Sequence, residues 1–591
     1  MAAGLELLMK LEAVYHRTSD NYCYPLNEED LIINLKTGHD VERVFIYYGD
    51  PFENGILGGN WRWNGVEEEL IYKKNLTHHI WWTTTVKPEF KRCKYYFKLV
   101  AGDSSCYYFE DGFYTEEEMN HQGKNLVYFT FPWMNGIDIN KTPGWVNNTV
   151  WYQIFPERFC NGDKSNDPVG TKSWGYHPVS NEDYYGGDLQ GIINRLDYLQ
   201  SLGINGIYLT PIFEAGTSHK YDTKDYMKID PHFGDEKVFK DLVDKAHGKG
   251  IRIMLDGVFN HCGKNFSPWL DVLEHGPDSR YYNWFMINKW PFNQEAHNTK
   301  DGSFYSFAFT SRMPKLNTNN PEVIKYLLDV VEYWVKNFDI DGLRLDVANE
   351  VSHRFCKDLR RLTNELKPDF YLLGEIWHDA ITWLHGDEFD AVMNYPLATS
   401  IADFWIYPEK TNYDFECAIN HNFTMYMQQT NNVMFNLLDS HDTNRLIDKV
   451  KDVHVFYQQL ALLFTMPGSP CIYYGTEFGM EGSYDPDCRR CMPWNELEAG
   501  EFDSKIEIVK SFIHLRKTNN AFKSKHFHFV EDKDNKRVIH FIKTDEEHKQ
   551  IEVILNCSDH KISISNKGNE LFSLLKVDTI LEPKGIYIQE I

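Results

Sequence analysis

Apolar residues recur along this chain with two periods, and the change between them divides it. Up to about residue 135 the runs are short and alternating, at 31–35, 41–48, 79–86 and 93–100, with Gly, Asn, Asp and Pro between them. Such runs predict strands, and a series of them predicts a β-sandwich over residues 1–135. Residues 132–145 read as a linker. Beyond it, strand-like and helix-like stretches alternate. Strands are expected at 149–155, 206–210, 251–258, 341–347, 370–374, 389–393, 433–438 and 470–474. Helices are expected at 189–202, 238–247, 321–337, 350–366, 453–465 and 506–516, the third opening on Pro321. Eight β–α units on this scale make the fold class α/β, a (β/α)8 TIM barrel over residues 136–518. A stretch rich in Trp, Asn and Pro after the third strand is too long for an ordinary loop and reads as an inserted small domain, about 261–316. From 519 to 591 alternation returns, which predicts a C-terminal β-sandwich.

Composition narrows the function. Formal net charge is -25, with no basic patch, which argues against nucleic acid as a partner. No apolar run reaches membrane-spanning length. The first sixteen residues carry acids and lead into strand-like sequence, so they do not read as a secretory signal. Eleven scattered cysteines then read as reduced thiols, and the expected location is cytoplasmic. The pair Cys488/Cys491 alone is a weak sign of zinc. Aromatic residues make up 15% of the chain, including 16 Trp. Flat apolar rings suit the faces of pyranoses, and Trp61, Trp63, Trp81 and Trp82 form a candidate sugar platform beside the simpler reading of core aromatics.

The chemistry collects where barrel strands end, which is where barrels place their sites. Strand three ends in Asp256-Gly-Val-Phe-Asn260-His261. Strand four carries Arg344 and Asp346, strand five ends in Glu375-Ile376-Trp377-His378, and strand seven in Asp439-Ser-His441-Asp442. Charges buried at four strand exits are costly for a fold and gain nothing in packing. Arg344, two residues from Asp346 on the same side of the pleat, is expected to keep that carboxylate ionised, as a nucleophile requires. Glu375, beside apolar Ile376 and Trp377, is the candidate proton donor, which must hold its proton near neutrality. A nucleophile carboxylate with a separate donor is the equipment of glycoside hydrolysis.

These strand ends resemble the four signature regions of the α-amylase family of glycoside hydrolases. Met313-Pro-Lys-Leu-Asn317 resembles its fifth region in the form typical of neopullulanases, cyclomaltodextrinases and maltogenic amylases, as do Val347-Ala-Asn-Glu350 and Glu375-Ile-Trp-His-Asp-Ala380. The resemblance covers essentially the full length, with the N-terminal sandwich similar to a starch-binding module. It implies Asp346 as nucleophile, Glu375 as acid and then base, and Asp442 as stabiliser of the transition state. It implies sugar contacts at Tyr221, His261, Arg344 and His441, and a carboxylate separation of about 5–5.5 Å with retention of configuration. Asp485 and Arg489 resemble positions that bind sugar further from the cut, with a salt-bridged loop as the competing reading. Glu350 and Trp377 would face the leaving group. In Asn161-Gly-Asp163-Lys-Ser-Asn166-Asp167 the clustered oxygens suit a hard cation such as Ca²⁺; the resemblance adds Gly186 and Asp188, while the plain alternative is an Asn/Asp turn.

Together these imply a cytoplasmic enzyme cutting α-1,4 bonds in cyclodextrins and maltooligosaccharides, less well in pullulan and starch, with some transglycosylation. A homodimer through the N-terminal domain is implied as well. The alternatives are a plain α-amylase or α-glucosidase, and a non-catalytic glucan-binding relative.

Overall fold

A computed structural model describes residues 9–53, 65–121 and 126–591. They form two compact units, one built mainly from the N-terminal region and one from the barrel and the C-terminal sheet.

The N-terminal unit is a sandwich of two antiparallel sheets. One contains the strands Leu31–Thr37 and Ile80–Val86; the other contains Arg43–Gly49 and Cys93–Ala101. Alternate residues such as Leu31, Ile33, Val44, Ile46, Tyr95, Phe97 and Leu99 interleave as its core. Trp81 and Trp82 are buried, at 5% and 2% exposure, and Trp82 Nε1 donates to Thr37 Oγ1 at 2.8 Å. They are core residues, so the platform reading fails for them; Trp61 and Trp63 lie outside the described residues. Residues 406–431 and 528–536, distant in sequence, also belong to this unit. The helix Asn412–Thr424 joins it through side-chain amides: Asn420 Nδ2 donates to the Asn75 carbonyl at 3.0 Å, and Asn21 Nδ2 to the Thr424 carbonyl at 2.8 Å.

The second unit holds the barrel. Its strands, in chain order, are β1 (Trp151–Ile154), β2 (Gly206–Leu209), β3 (Arg252–Gly257), β4 (Gly342–Leu345), β5 (Tyr371–Gly374), β6 (Ala391–Val392), β7 (Phe435–Asn436) and β8 (Ser469–Tyr473). All pair in parallel in the order β6-β5-β4-β3-β2-β1-β8-β7. A parallel bridge from Met393 to Phe435 joins the two ends, so the sheet closes on itself. Both faces of these strands are covered, which is why they read as near-continuous apolar runs.

Several elements differ from expectation, and the strand expected at 389–393 shortens to the two residues of β6. The helix expected at 189–202 breaks at Arg195 into Leu189–Asn194 and Leu196–Leu202. The strand expected at 433–438 shrinks to β7, because Gln428–Val433 is helical. The helix expected from Glu350 starts at His353, capped by Ser352, whose side chain accepts from the Phe355 N–H; Glu350 lies in a preceding 3-10 turn.

The acids at the start of β4 serve the fold. Asp341 is buried and accepts from Ile253 N, His247 Nε2 and Arg252 Nη1 at 2.9, 2.7 and 2.8 Å, with Lys367 Nζ at 3.0 Å. Burial opposes its charge, but these partners hold the carboxyl well below the usual carboxylate range. Asp341 thus ties β3 to β4 at their entry ends, opposite the site.

The segment after β3 is a small irregular insertion. It holds one α-helix, Ser267–His275, and is pinned by antiparallel bridges such as His261 to Lys315 and Ser306 to Pro314. The C-terminal segment is an antiparallel sheet whose last strand, Ile580–Glu590, pairs with three others. Among the described residues, no helix is long and apolar enough to cross a membrane.

Candidate active site

The exits of β3, β4 and β5 converge on the guanidinium of Arg344, which is fully buried. Its Nη1 lies 2.9 Å from both oxygens of Asp256 and 2.8 Å from Asp346 Oδ1. Its Nη2 lies 2.9 Å from Glu375 Oε2. Asp346 and Glu375 therefore sit at the two ends of one planar cation, on adjacent strands. Asp346 is 7% exposed and Glu375 6%, enough to face the pocket.

A backbone turn completes this arrangement. Val347 has φ 45° and ψ 44°, a left-handed conformation that a β-branched residue adopts only at a cost of about 1–3 kcal/mol. The turn aims the Val347 N–H at Glu375 Oε2, 3.0 Å away, while Trp377 Nε1 donates to Oε1 at 3.2 Å. Glu375 is thus held by donors from β4 and from its own strand end.

One cation is shared among three carboxylates, and the charge balance follows from that. Burial pushes the Asp346 carboxyl well above its ordinary range. Arg344 opposes this, and the negative charges of Glu375, Asp256 and Asp442 add to it. Arg344 pulls Asp346 toward its ionised form, as expected, but its charge is divided among three carboxylates and burial opposes it. Asp256 is raised too, by burial, against Arg344 and two tyrosine hydroxyls. The cluster favours retaining a proton that an isolated ion pair would release.

Asp442 closes the pocket from β7. A third of its side chain is exposed; Oδ2 lies 3.2 Å from His441 Nε2 and Oδ1 lies 3.4 Å from Arg489 Nη2. Burial raises it, opposed first by Arg489 and then by Arg344. His441 is held in a relay. The Gln153 amide nitrogen lies 2.7 Å from its Nδ1, and its Nε2 lies 2.6 Å from the Tyr221 hydroxyl. With Gln153 donating, Nε2 carries the proton, and the Tyr221 hydroxyl donates a hydrogen bond to Asp256 Oδ2 at 2.9 Å. Burial and the charges of Arg489 and Arg344 drive His441 well below its ordinary value, so the ring is neutral. Tyr221 and His441 are parallel, 6° apart, with centroids separated by 5.4 Å.

The other expected contacts fall in several places. His261 is 1% exposed, its Nε2 faces the Tyr221 carbonyl at 3.2 Å, and its ring stacks on Phe307. Burial lowers it to about 3. It braces the pocket wall, with both nitrogens occupied, the other by Asn260 at 3.3 Å. Trp377 is half exposed and stacks on Tyr395 at 3.5 Å and 7°, so it is not a core residue. Arg489 is buried and pairs with Asp485 at 2.8 Å as well as with Asp442. The salt-bridged loop is real, and it also reaches the pocket. Glu350 is tethered by Lys315 Nζ, 3.1 Å from its carbonyl and 3.2 Å from Oε2, and the same ammonium donates to Asn260 Oδ1. That is the local work of the Met313–Asn317 motif: it fastens the insertion to the exits of β3 and β4.

Sequence reasoning missed Gln153, Tyr208 and Tyr395. Tyr208 donates to Asp256 at 2.7 Å. Gln153 had a readable signal, as the one amide in the apolar run of β1. Tyr208 lies in an apolar run and Tyr395 opens a helix, and neither carried one.

The oxygen-rich loop lies apart from the carboxylate cluster in sequence and shares no residue with it. Asn161 Nδ2 donates to Asp167 Oδ1 at 2.7 Å, and Asn166 Nδ2 lies 3.2 Å from Asp188 Oδ2. The carbonyl oxygens of both Asn161 and Asn166 are buried with no hydrogen-bond partner. Gly186 has φ 83°, and a Cβ there would meet Asp167 Oδ1 at 2.2 Å, so only glycine fits. Asp188 accepts from the N–H groups of Gly162, Asp163 and Gly191 at 3.0, 2.8 and 2.6 Å, which closes the loop and caps the helix Leu189–Asn194.

Comparison with known proteins matches this geometry. Residues 153–544 match the family model for the α-amylase catalytic domain, and residues 9–135 that for the α-amylase N-terminal Ig-like domain. A cyclomaltodextrinase of Geobacillus thermopakistaniensis (strain MAS1) is 45% identical over 574 residues, 96% of this chain and 95% of that one. The intracellular maltogenic amylase of Bacillus subtilis is 43% identical, over 87% of this chain and 85% of its own length. The solved structure of a cyclomaltodextrinase superposes with a TM-score of 0.87 at 38% identity, covering 99% of this chain and 98% of that one. With its eight parallel strands closed around Arg344 and its carboxylates at their exits, the chain belongs to the α-amylase family of glycoside hydrolases.

Proposed function

We propose that the enzyme hydrolyses α-1,4 bonds of cyclodextrins and maltooligosaccharides with retention of configuration, acting less well on pullulan and starch, and that it transfers part of its product to sugar acceptors. The observation that carries this reading is the placement of Asp346 and Glu375 on the two ends of one guanidinium, with Asp442 across the pocket. In the first step a carboxylate oxygen of Asp346 attacks the anomeric carbon. The bond to the leaving oxygen breaks as Glu375 gives that oxygen its proton. In the second step Glu375 takes a proton from water, the water attacks the same carbon, and Asp346 leaves. Asp442, with Arg489 and His441 behind it, is placed to hold hydroxyls of the distorted ring. Tyr221 and Trp377 supply flat faces, and Glu350 and Asp485 line the two sides further out.

The relatives' names support the substrate class: cyclomaltodextrinase for one and maltogenic amylase for another. The word intracellular in the latter supports a cytoplasmic location. A homodimer through the N-terminal domain remains part of the proposal, and gel filtration at two chain masses is the expected result. The substrate reading is tested by initial rates on β-cyclodextrin and soluble starch side by side. A several-fold faster rate on cyclodextrin is expected; a faster rate on starch would make this an amylase with an open cleft.

The loop at Asn161–Asp167 fits a calcium ion, since two buried carbonyl oxygens there lack any donor. Asn161, Asp163, Asn166, Asp167 and the Gly186 carbonyl would hold it, with Asp188 organising the loop behind them. The ion would stiffen that loop and take no part in bond cleavage. Exhaustive chelation is expected to lower the melting temperature by several degrees, and added Ca²⁺ to restore it. An unchanged transition would remove the ion from the reading.

A further inference from the structure

The loop after β7 carries a buried guanidinium that the bond-breaking steps do not use. Arg445 stands just before the helix Leu446–Val450 and is fully buried. Aromatic faces enclose it. Its guanidinium lies 4.0 Å from the Tyr473 ring centroid and 4.5 Å from that of Tyr474, both buried at the end of β8. Its donors run to carbonyls: Nε to Cys488 at 2.9 Å, Nη1 to Tyr474, and the backbone N–H to Gly482 at 2.9 Å. A cation taken out of water in this way is expensive for a fold, and all three of these bonds run to one segment, the chain that leaves β8.

That segment is gripped on both sides of Arg489. Arg445 holds the carbonyl of the residue before it, Cys488. The Tyr474 hydroxyl donates to the carbonyl of the residue after it, Arg490, at 2.6 Å. Tyr474 is itself held by Arg445 through its carbonyl and its ring, so the two grips act as one clamp. Arg489 then reaches back to the loop from which Arg445 came. Its Nε donates to the His441 carbonyl at 3.0 Å, beside the Cys488 thiol at 3.2 Å. Its Nη1 lies 2.8 Å from Asp485 Oδ1 and 3.1 Å from Asn181 Oδ1. Its Nη2 lies 3.4 Å from Asp442 Oδ1, the longest of these contacts and the first that a shift of Arg489 would break.

We propose that Arg445 and Tyr474 are positioning residues, which keep Arg489 within reach of Asp442 by fixing the carbonyls on either side of it. The assignment rests on the α-glucan reading above, in which Asp442 holds the distorted ring. Neither residue touches the sugar; both act through Arg489. A cation fixed behind Asp442 in the free enzyme needs no rearrangement as charge develops on the substrate. With the clamp opened, Arg489 follows Asp485 and Asp442 loses its support.

Double-mutant cycles with Arg489→Ala separate this role from plain bracing of the loop. Arg445→Lys keeps a cation between the tyrosines and loses the fork that spans two carbonyls. It is expected to lower kcat/KM on maltotriose about 10- to 100-fold, the scale of a small misplacement near the chemistry. Tyr474→Phe loses one hydroxyl and keeps the ring, and about 3- to 10-fold is expected. In the Arg489→Ala background each second change should cost less than about twofold, because no guanidinium is left to place. Losses that multiply in full would mean that the clamp acts by another route, and the proposal would fall. Parental kcat/KM in both single variants would overturn it as well. Should Arg445→Lys fail to give a cooperative thermal melt, the Tyr474→Phe cycle decides alone. A parent enzyme with no activity on maltotriose would instead overturn the α-glucan reading beneath it.

Discussion

Asp346→Asn is expected to lower kcat/KM on cyclodextrin by about 10⁴-fold or more, with binding of intact cyclodextrin retained. The amide fills the same space and accepts the same Arg344 contact, but it cannot form the glycosyl intermediate. Titration calorimetry with β-cyclodextrin and a thermal melt would show that site and fold persist. A variant within tenfold of the parent would displace Asp346 from the nucleophile's role. The parent's pH profile carries a second signature of the same group. Asp346 must be ionised to attack, and burial with flanking carboxylates raises it. Activity should therefore fall with acidity through a value above the ordinary aspartate range near 3.9. Asp256→Asn removes one of the charges that raise it. The acid limb should then move to lower pH, on a smaller maximal rate because Arg344 and Tyr221 lose a partner.

Arg344→Met is expected to cost stability as well as all measurable turnover. Three carboxylates within 3 Å of the guanidinium lose their shared cation. Breaking a buried ionic cluster from one side costs on the order of 3–5 kcal/mol at neutral pH. The sign of the pH dependence identifies the cause. Without Arg344 the Asp346 and Asp256 carboxyls rise further in the folded state, so they bind protons there that the unfolded chain has released. Each such group supports folding below the unfolded carboxylate value and loses that support as pH climbs through the raised folded value. The deficit should be largest at pH 7 to 8 and shrink toward pH 4. A deficit independent of pH would point to lost packing instead.

How much of this was legible depended on whether the signal lay in one strand or between several. The barrel could be read because parallel strands are buried on both faces, and each left a continuous apolar run such as Ile253–Leu255. The carboxylates could be read because a charge inside such a run has no cheap explanation. Asp341 shows the limit of that argument: it is even more buried than Asp346 and flanks the same strand, yet it locks the barrel's far end. Sequence position alone does not say which end of a strand a charge serves. The sharing of Arg344 among three acids was not legible either, because it depends on the closing of β3, β4 and β5 side by side. Burial, and then the neighbouring acids, raise Asp346 against the pull expected from Arg344. Nor did periodicity reveal that Asn412–Thr424 joins the N-terminal unit, since its amide contacts to Asn75 and Asn21 leave no pattern in the run itself.

The left-handed turn at Val347 bears on how this enzyme would evolve under selection for heat resistance. Glycine or asparagine at that position would relax the backbone, and screens that score only survival on heating should recover such changes repeatedly. Glycine there would also let the turn leave its left-handed conformation more readily and hold the N–H on Glu375 less firmly, so the glycine variants should be slower. The strained valine marks a place where durability and turnover are set against each other in a single residue.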